Sequence, residues 1–159
     1  MKKKIKNVLI TGAGKRIGSS IAKSLAANNW NVALHYNNSE KETKKLSIEL
    51  QEAYKVKTVC IQADLSDLKQ LKKIIPTVTK SIGHISCLIN NAASFEYDSI
   101  YSLSSDSWDM HMNTNIRAPL FLSQSFVENI PKKINGNIIN IIDQRVWNLT
   151  PHFTTYTLS

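Results

Sequence analysis

With 159 residues, 42% hydrophobic and 20% charged, the chain has the composition of one ordinary globular domain large enough to bury a core. Its apolar runs are too short for a signal-peptide core or a membrane span, so a cytoplasmic protein with no membrane partner is expected. The net charge of +8 is carried mostly by scattered lysines. Without a helix-turn-helix pattern, an RNA-binding motif or a basic stripe interleaved with aromatics, it indicates a generally electropositive surface and no nucleic-acid partner.

Five short apolar runs recur along the chain: Val8 to Ile10, Val32 to Leu34, Val56 to Ile61, Ile85 to Ile89 and Ile138 to Ile142. Several are apolar nearly throughout, the mark of strands covered on both faces in a parallel sheet. The first helix is predicted from Arg16 to Asn28, with Ile17, Ile21, Ala22 and Leu25 on its buried face. The second begins at Ser39, where Ser39-Glu-Lys-Glu42 has the form of a capping box, and carries Leu46, Leu50 and Ala53 as its buried stripe. A third opens near Ser66-Asp67 with Leu68, Leu71 and Ile75, and Pro76 is expected to break or kink it. Between the fourth and fifth runs lies room for one long helix from about Asp106 to Asn129, or two in series, with Pro119 as the place for a kink. The order is βαβαβαβαβ, an α/β fold with a doubly wound parallel sheet. Cys60 and Cys87 each sit inside an apolar run, which suits reduced structural thiols; no metal site is expected.

Gly12, Gly14 and Gly18 crowd into the turn between the first strand and the first helix, in a chain with only 5 glycines. A glycine-rich strand-to-helix turn lets the backbone approach a pyrophosphate while the helix N-terminus stabilises its charge. A tight turn with no ligand is the alternative reading. At the end of the second strand, a carboxylate would bind the ribose hydroxyls of NAD and repel a 2′-phosphate. The chain has His35-Tyr36-Asn37-Asn38-Ser39 there, with no acid, and Arg16 stands in the glycine loop. That combination favours NADP(H), with Arg16 meeting the phosphate helped by His35, Asn37 and Ser39. An ordinary strand-end role for His35 stays open.

These residues resemble the short-chain dehydrogenase/reductase family, with its Rossmann-like sheet, over essentially the whole chain. Thr11-Gly-Ala-Gly-Lys-Arg-Ile-Gly18 is similar to the family pattern T-G-x-x-x-G-x-G, so Thr11, Lys15 and Ile17 join the implied cofactor site; Arg16 replaces the middle glycine. Ala63-Asp64-Leu65 is similar to the adenine-contacting segment, and Asn90-Asn91-Ala92-Ala93 to the N-N-A-G motif. Asn115 resembles the helix asparagine that holds a water linked to the catalytic lysine. Tyr156 falls at the tyrosine of the Y-x-x-x-K motif, and Asp143 stands thirteen residues earlier, where most members have serine. Arg16, His35-Tyr36 and Asp143 together resemble the pteridine reductase branch, in which the residue at Phe95 stacks on the pterin ring.

The resemblance implies hydride transfer from NADPH to a C=N bond of a dihydropterin or dihydrofolate, with Tyr156 as proton donor and Asp143 positioning it or helping to deliver the proton. Position 160 would hold the family's lysine, one residue beyond Ser159. Because members run to about 250 residues, the chain is expected to be C-terminally truncated and impaired, with the fifth strand left as an apolar edge. Self-association through the fourth and fifth helices is implied for a full-length chain. Another carbonyl or 3-oxoacyl reductase is an alternative, opposed by Asp143, whose charge would repel a developing oxyanion. An inactive remnant that at most binds NADPH is another. Local alternatives are Asp143 as a turn cap, Phe95 as loop packing, Asn115 as a buried structural amide and Tyr156 as a disordered aromatic.

Overall fold

In the computed structural model, which describes residues 6–159, five strands form one parallel sheet in the order β3-β2-β1-β4-β5. The basic first residues, 1–5, lie outside the described part. The strands are β1 (Lys6–Ile10), β2 (Trp30–Tyr36), β3 (Thr58–Gln62), β4 (Cys87–Asn90) and β5 (Asn137–Asn140). Every neighbouring pair is parallel, with Val8 opposite both Val32 and Cys87. The expected doubly wound α/β architecture is therefore present.

Side chains alternate across a strand, so β1 sends Val8 and Ile10 to one face and Leu9 to the other. Val8 and Ile10 meet α1 (Arg16–Ala27) and α2 (Glu40–Tyr54) through Ala22, Ala26, Leu46 and Leu50. Leu9 meets α3 (Leu68–Ile82) and α5 (Ala118–Asn129) through Leu71, Ile74, Val78, Leu122 and Phe126. Helix α4 (Ser105–His111) runs through a π-helical turn, Met112–Arg117, straight into α5, so the single long helix holds and Pro119 sits in the first turn of α5. Proline is tolerated there because the π-helical turn just before it already shifts the backbone ladder, with Ala118 bonding to Asn113. A short helix, α6 (Thr154–Leu158), ends the chain.

Four local expectations are corrected. Pro76 does not end α3, which continues to Ile82 because Leu71, Ile74, Ile75 and Val78 are buried on both sides of it while Pro76 is exposed. The Ser39 side chain caps nothing; Glu42 instead pairs with Lys15 at 2.8 Å. Ala53 is exposed, and the buried face of α2 is made by Thr43, Leu46, Ser47 and Leu50. Ile17 is also exposed, because the buried stripe of α1 begins only at Gly18. Both cysteines are free, Cys87 buried and Cys60 half-buried. Strand β5 is an edge of the sheet, and Ile139, Ile141 and Ile142 are exposed along it. Among the described residues no helix is long and apolar enough to cross a membrane.

Candidate active site

In an open parallel sheet the chain leaves β1 and β4 in opposite directions, which opens a crevice at their C-terminal ends. The glycine loop and the Asn90-Asn91-Ala92-Ala93 segment flank that crevice and are bonded to each other. The Thr11 hydroxyl accepts from the N–H groups of Asn91 (2.9 Å) and Ala92 (3.0 Å). In return the Asn91 side chain donates to the carbonyls of Thr11 (2.8 Å) and Gly12 (3.2 Å). Thr11 is buried, so its side chain builds the loop from beneath.

The glycines stand where neighbouring atoms leave no room for a side chain. Gly12 has φ +63°, and a Cβ there would stand 3.0 Å from Ala92 Cα. At Gly18 a Cβ would collide with the Gly12 carbonyl, and at Gly14 with Ser39 and Thr43. No side chain caps the first turn of α1 and no acidic residue lies in it, so its N–H groups face the loop without a built-in anion. Arg16 opens that turn with its side chain exposed and its backbone in the left-handed region, φ +47°. Lys15 instead reaches across to Glu42.

His35 is used differently from the expected phosphate contact. It is 1% exposed; its Nδ1 accepts from the Gly12 N–H at 3.2 Å and its Nε2–H donates to the Ala63 carbonyl at 3.1 Å. Both ring nitrogens are thus committed to backbone, and burial pushes its pKa down to about 4, against the opposing effects of the Ala63 carbonyl and the Asp64 charge. A neutral His35 pins the glycine loop to the end of β3. Tyr36 is also buried, whereas Asn37 is exposed and Ser39 half-buried at the mouth. Asp64 accepts from the backbone N–H and hydroxyl of Ser66, both at 2.8 Å, and Leu65 packs into the core.

A second group of predicted residues converges on a cleft of about 420 Å³, beside the glycine loop, whose lining includes Ala92, Ala93, Asn115, Asp143, Arg145 and Tyr156. The Tyr156 hydroxyl donates to Asp143 Oδ2 at 3.2 Å. Asp143 Oδ1 accepts from the Arg145 N–H at 2.9 Å, so the turn-cap role and the contact with Tyr156 coexist on one carboxylate. Burial pushes the Tyr156 phenol up from its ordinary value, the Asp143 charge and hydrogen bond push it further, and Arg145 opposes them. The half-buried Tyr156 is held in α6.

Asn115 lies in the π-helical turn and is fully engaged. Its Oδ1 accepts from the Ser94 N–H at 2.8 Å, and its Nδ2 donates to the Ser94 carbonyl (3.0 Å) and the Ser159 hydroxyl (2.8 Å). π-Helical turns recur at functional sites because they offset side chains from the ordinary helical register. Phe95 is half exposed outside the cleft lining, stacked on Phe153 at 4.6 Å and meeting Tyr156 edge-on at 4.6 Å. Sequence reasoning missed Arg145 and Phe153, whose guanidinium and ring lie 4.5 Å apart beside Phe95. Proximity to Asp143 and Tyr156 in the chain was the available signal. No group of three or more potential metal ligands occurs among the described residues.

The sequence profile described as short chain dehydrogenase matches residues 6–159. A sepiapterin reductase of Chlorobaculum tepidum is 30% identical over 96% of this chain and 64% of its own length. A 3-oxoacyl-[acyl-carrier-protein] reductase, FabG, of Staphylococcus aureus is 32% identical over 87% of this chain and 56% of its own. Among solved structures, FolM alternative dihydrofolate reductase 1 of Brucella suis in complex with NADP superposes with a TM-score of 0.92, at 34% identity over 97% of this chain and 63% of that one. The chain therefore spans less than two thirds of the length of these relatives. With the matching profile, the 3-2-1-4-5 parallel sheet and the glycine crevice in agreement, the chain belongs to the short chain dehydrogenase family.

Proposed function

We propose that residues 1–159 are the NADP(H)-binding domain of an oxidoreductase that reduces a dihydropterin or dihydrofolate at a C=N bond. The observation that carries the choice of substrate is the pairing of Asp143 with the Tyr156 hydroxyl at the head of the cleft. The glycine loop fits a pyrophosphate: its glycines let the backbone turn tightly against Ala92, Ser39 and its own carbonyls, and the first turn of α1 is uncapped. Gly12, Gly14 and Gly18 give that close approach, with Lys15, Ile17 and Thr11 shaping the loop. Arg16, Asn37 and Ser39 surround the place for a 2′-phosphate, and Asp64, Leu65 and Asn91 to Ala93 border the rest of the crevice.

A non-glycine residue in the left-handed region is strained by roughly 1 kcal/mol or more, so Arg16 stands where glycine would be more stable. The gain in return is an exposed guanidinium at the glycine loop, available to a phosphate. FolM and the short chain dehydrogenase of Burkholderia cenocepacia are each described in complex with NADP.

Bound NADPH supplies the hydride. Tyr156 supplies the proton to the ring nitrogen that accepts it, since its raised phenol keeps its proton through neutral pH. Asp143 holds that hydroxyl and accepts from the substrate's ring N–H or amino groups, whereas an acyl carbonyl offers it no donor and develops a charge it repels. Phe95 stacks on Phe153 with one face and meets Tyr156 edge-on, so it could receive a heteroaromatic ring only on its remaining face, at the border of the cleft. The α4–α5 run is the surface on which two full-length copies would associate; Val127 is exposed on it, whereas the exposed Ile116 and Leu120 line the cleft.

FabG is as similar in sequence as the sepiapterin reductase, so a 3-oxoacyl substrate is the competing assignment. NADPH oxidation measured with dihydrobiopterin and with an acetoacetyl thioester separates them. Asp143→Ser is expected to lose pterin turnover by at least about tenfold, the effect of one charge-assisted hydrogen bond, without losing any acetoacetyl activity. Acetoacetyl turnover exceeding pterin turnover in the unaltered protein would sink the pterin assignment.

A further inference from the structure

The loop after β4 and helix α6 are joined by a buried chain of hydrogen bonds that the proposed chemistry does not use. Asp98 is 2% exposed, His111 0% and Thr155 1%. The Glu96 N–H donates to His111 Nε2 at 3.1 Å, which fixes the ring proton on Nδ1. Nδ1–H then donates to the Thr155 hydroxyl oxygen at 2.7 Å, and that hydroxyl donates to Asp98 Oδ2. The Thr155 N–H adds a bond to Asp98 Oδ1 at 3.1 Å, and the Phe153 N–H donates to the Asp98 carbonyl at 2.7 Å. Burial works against the Asp98 charge, but hydrogen bonding, first from Thr155 and then from Ser107 and Thr154, outweighs it and holds the carboxyl below its usual range. Each donor faces one acceptor, and a single neutral tautomer of His111 satisfies the whole chain.

The elements it joins are those of the site. Glu96 follows Phe95, His111 ends α4 just before the π-helical turn that carries Asn115, and Thr155 precedes Tyr156. Helix α6 is entered through Phe153 at φ +58°, and the first-turn N–H of Thr155 is met by the Asp98 carboxylate, so the start of the helix is fixed from outside it. We infer that Thr155, clamped between Asp98 and His111, is a positioning residue that sets the Tyr156 hydroxyl against Asp143.

The inference rests on Tyr156 being the proton donor of the proposed reaction, but its test does not require turnover. The titration of Tyr156 is followed by NMR on protein labelled at tyrosine Cζ, with Tyr156→Phe assigning the signal. In the unaltered chain the phenol is expected to titrate above its ordinary range, because its place in the fold half-buries it and sets it beside Asp143. Thr155→Val keeps the shape and removes the hydroxyl, and is expected to return Tyr156 to the ordinary phenol range in a chain that remains folded by circular dichroism. Thr155→Ser is expected to restore the elevated titration. An unchanged Tyr156 in folded Thr155→Val overturns the inference. If that variant does not fold, Asp98→Asn is read in the same way, with a smaller shift in the same direction expected. An unchanged titration there, or unfolding of both variants, overturns positioning in favour of a clamp that serves the fold alone. Failure of the pterin assay would leave this titration untouched, so the two claims fall separately.

Discussion

Tyr156→Phe is expected to reduce pterin-dependent NADPH oxidation by about 10²- to 10⁴-fold, the usual contribution of a positioned general acid. Only the hydroxyl is lost, and its one partner is the exposed carboxylate of Asp143, so the fold should be little affected. Cofactor affinity should also be unchanged, because the glycine loop and Arg16 are not in contact with Tyr156. The effect therefore belongs in kcat. The pH profile gives a second check. Burial and Asp143 raise the phenol, so the rate should hold through neutral pH and decline only above the ordinary phenol range. Full turnover by Tyr156→Phe would remove the tyrosine from the chemistry.

Acidification should destabilise the fold through His35. Burial lowers its pKa from 6.5 to about 4 in the folded state. Between those values the unfolded chain binds a proton that the folded chain does not, so stability rises with pH across that window. The contribution is fully present above about pH 6.5, is lost as pH falls toward 4, and amounts to about 3 kcal/mol from the pKa difference. Protonation would also put an N–H on Nδ1 facing the Gly12 N–H, two donors in one contact, which loosens the glycine loop. Denaturant midpoints from pH 7.5 to 4, compared with those of His35→Phe, isolate this effect from the carboxylates. A parent protein whose midpoint is flat across that window would contradict the buried neutral histidine.

The parts of the fold that were legible in the sequence are those dictated by burial on two faces. Val8 to Ile10 and Val32 to Leu34 have no polar side, and each lies within a central strand of the sheet. Ends were less legible, because a strand stops where its neighbour stops pairing: Ile142 continues the apolar run of β5 but lies past its last rung. Glu42 followed serine at capping distance, yet a lysine from the glycine loop claimed it, and no local pattern encodes that competition. Pro76 obeyed tertiary packing over its own preference. In the site, Asp143 and Tyr156 were marked by their resemblance to the family's motif positions, and the structure brings them into contact. His35 was readable as a position but not as a role, since its two backbone partners come from β1 and β3 loops far away in the chain. Thr155 and His111 carried no signal, because each is defined only by the other.

The central claim is that the crevice between β1 and β4 holds NADP(H) through its 2′-phosphate. Fluorescence titration of the chain with NADPH and with NADH, repeated on Arg16→Gly, tests it most directly. Saturable binding is expected, tighter for NADPH. Arg16→Gly should weaken NADPH by about 10- to 100-fold, the worth of a charge-assisted phosphate contact, while leaving NADH binding and the thermal midpoint no lower than before. Equal binding of the two nucleotides, insensitive to Arg16→Gly, or no saturable binding at all, would contradict it.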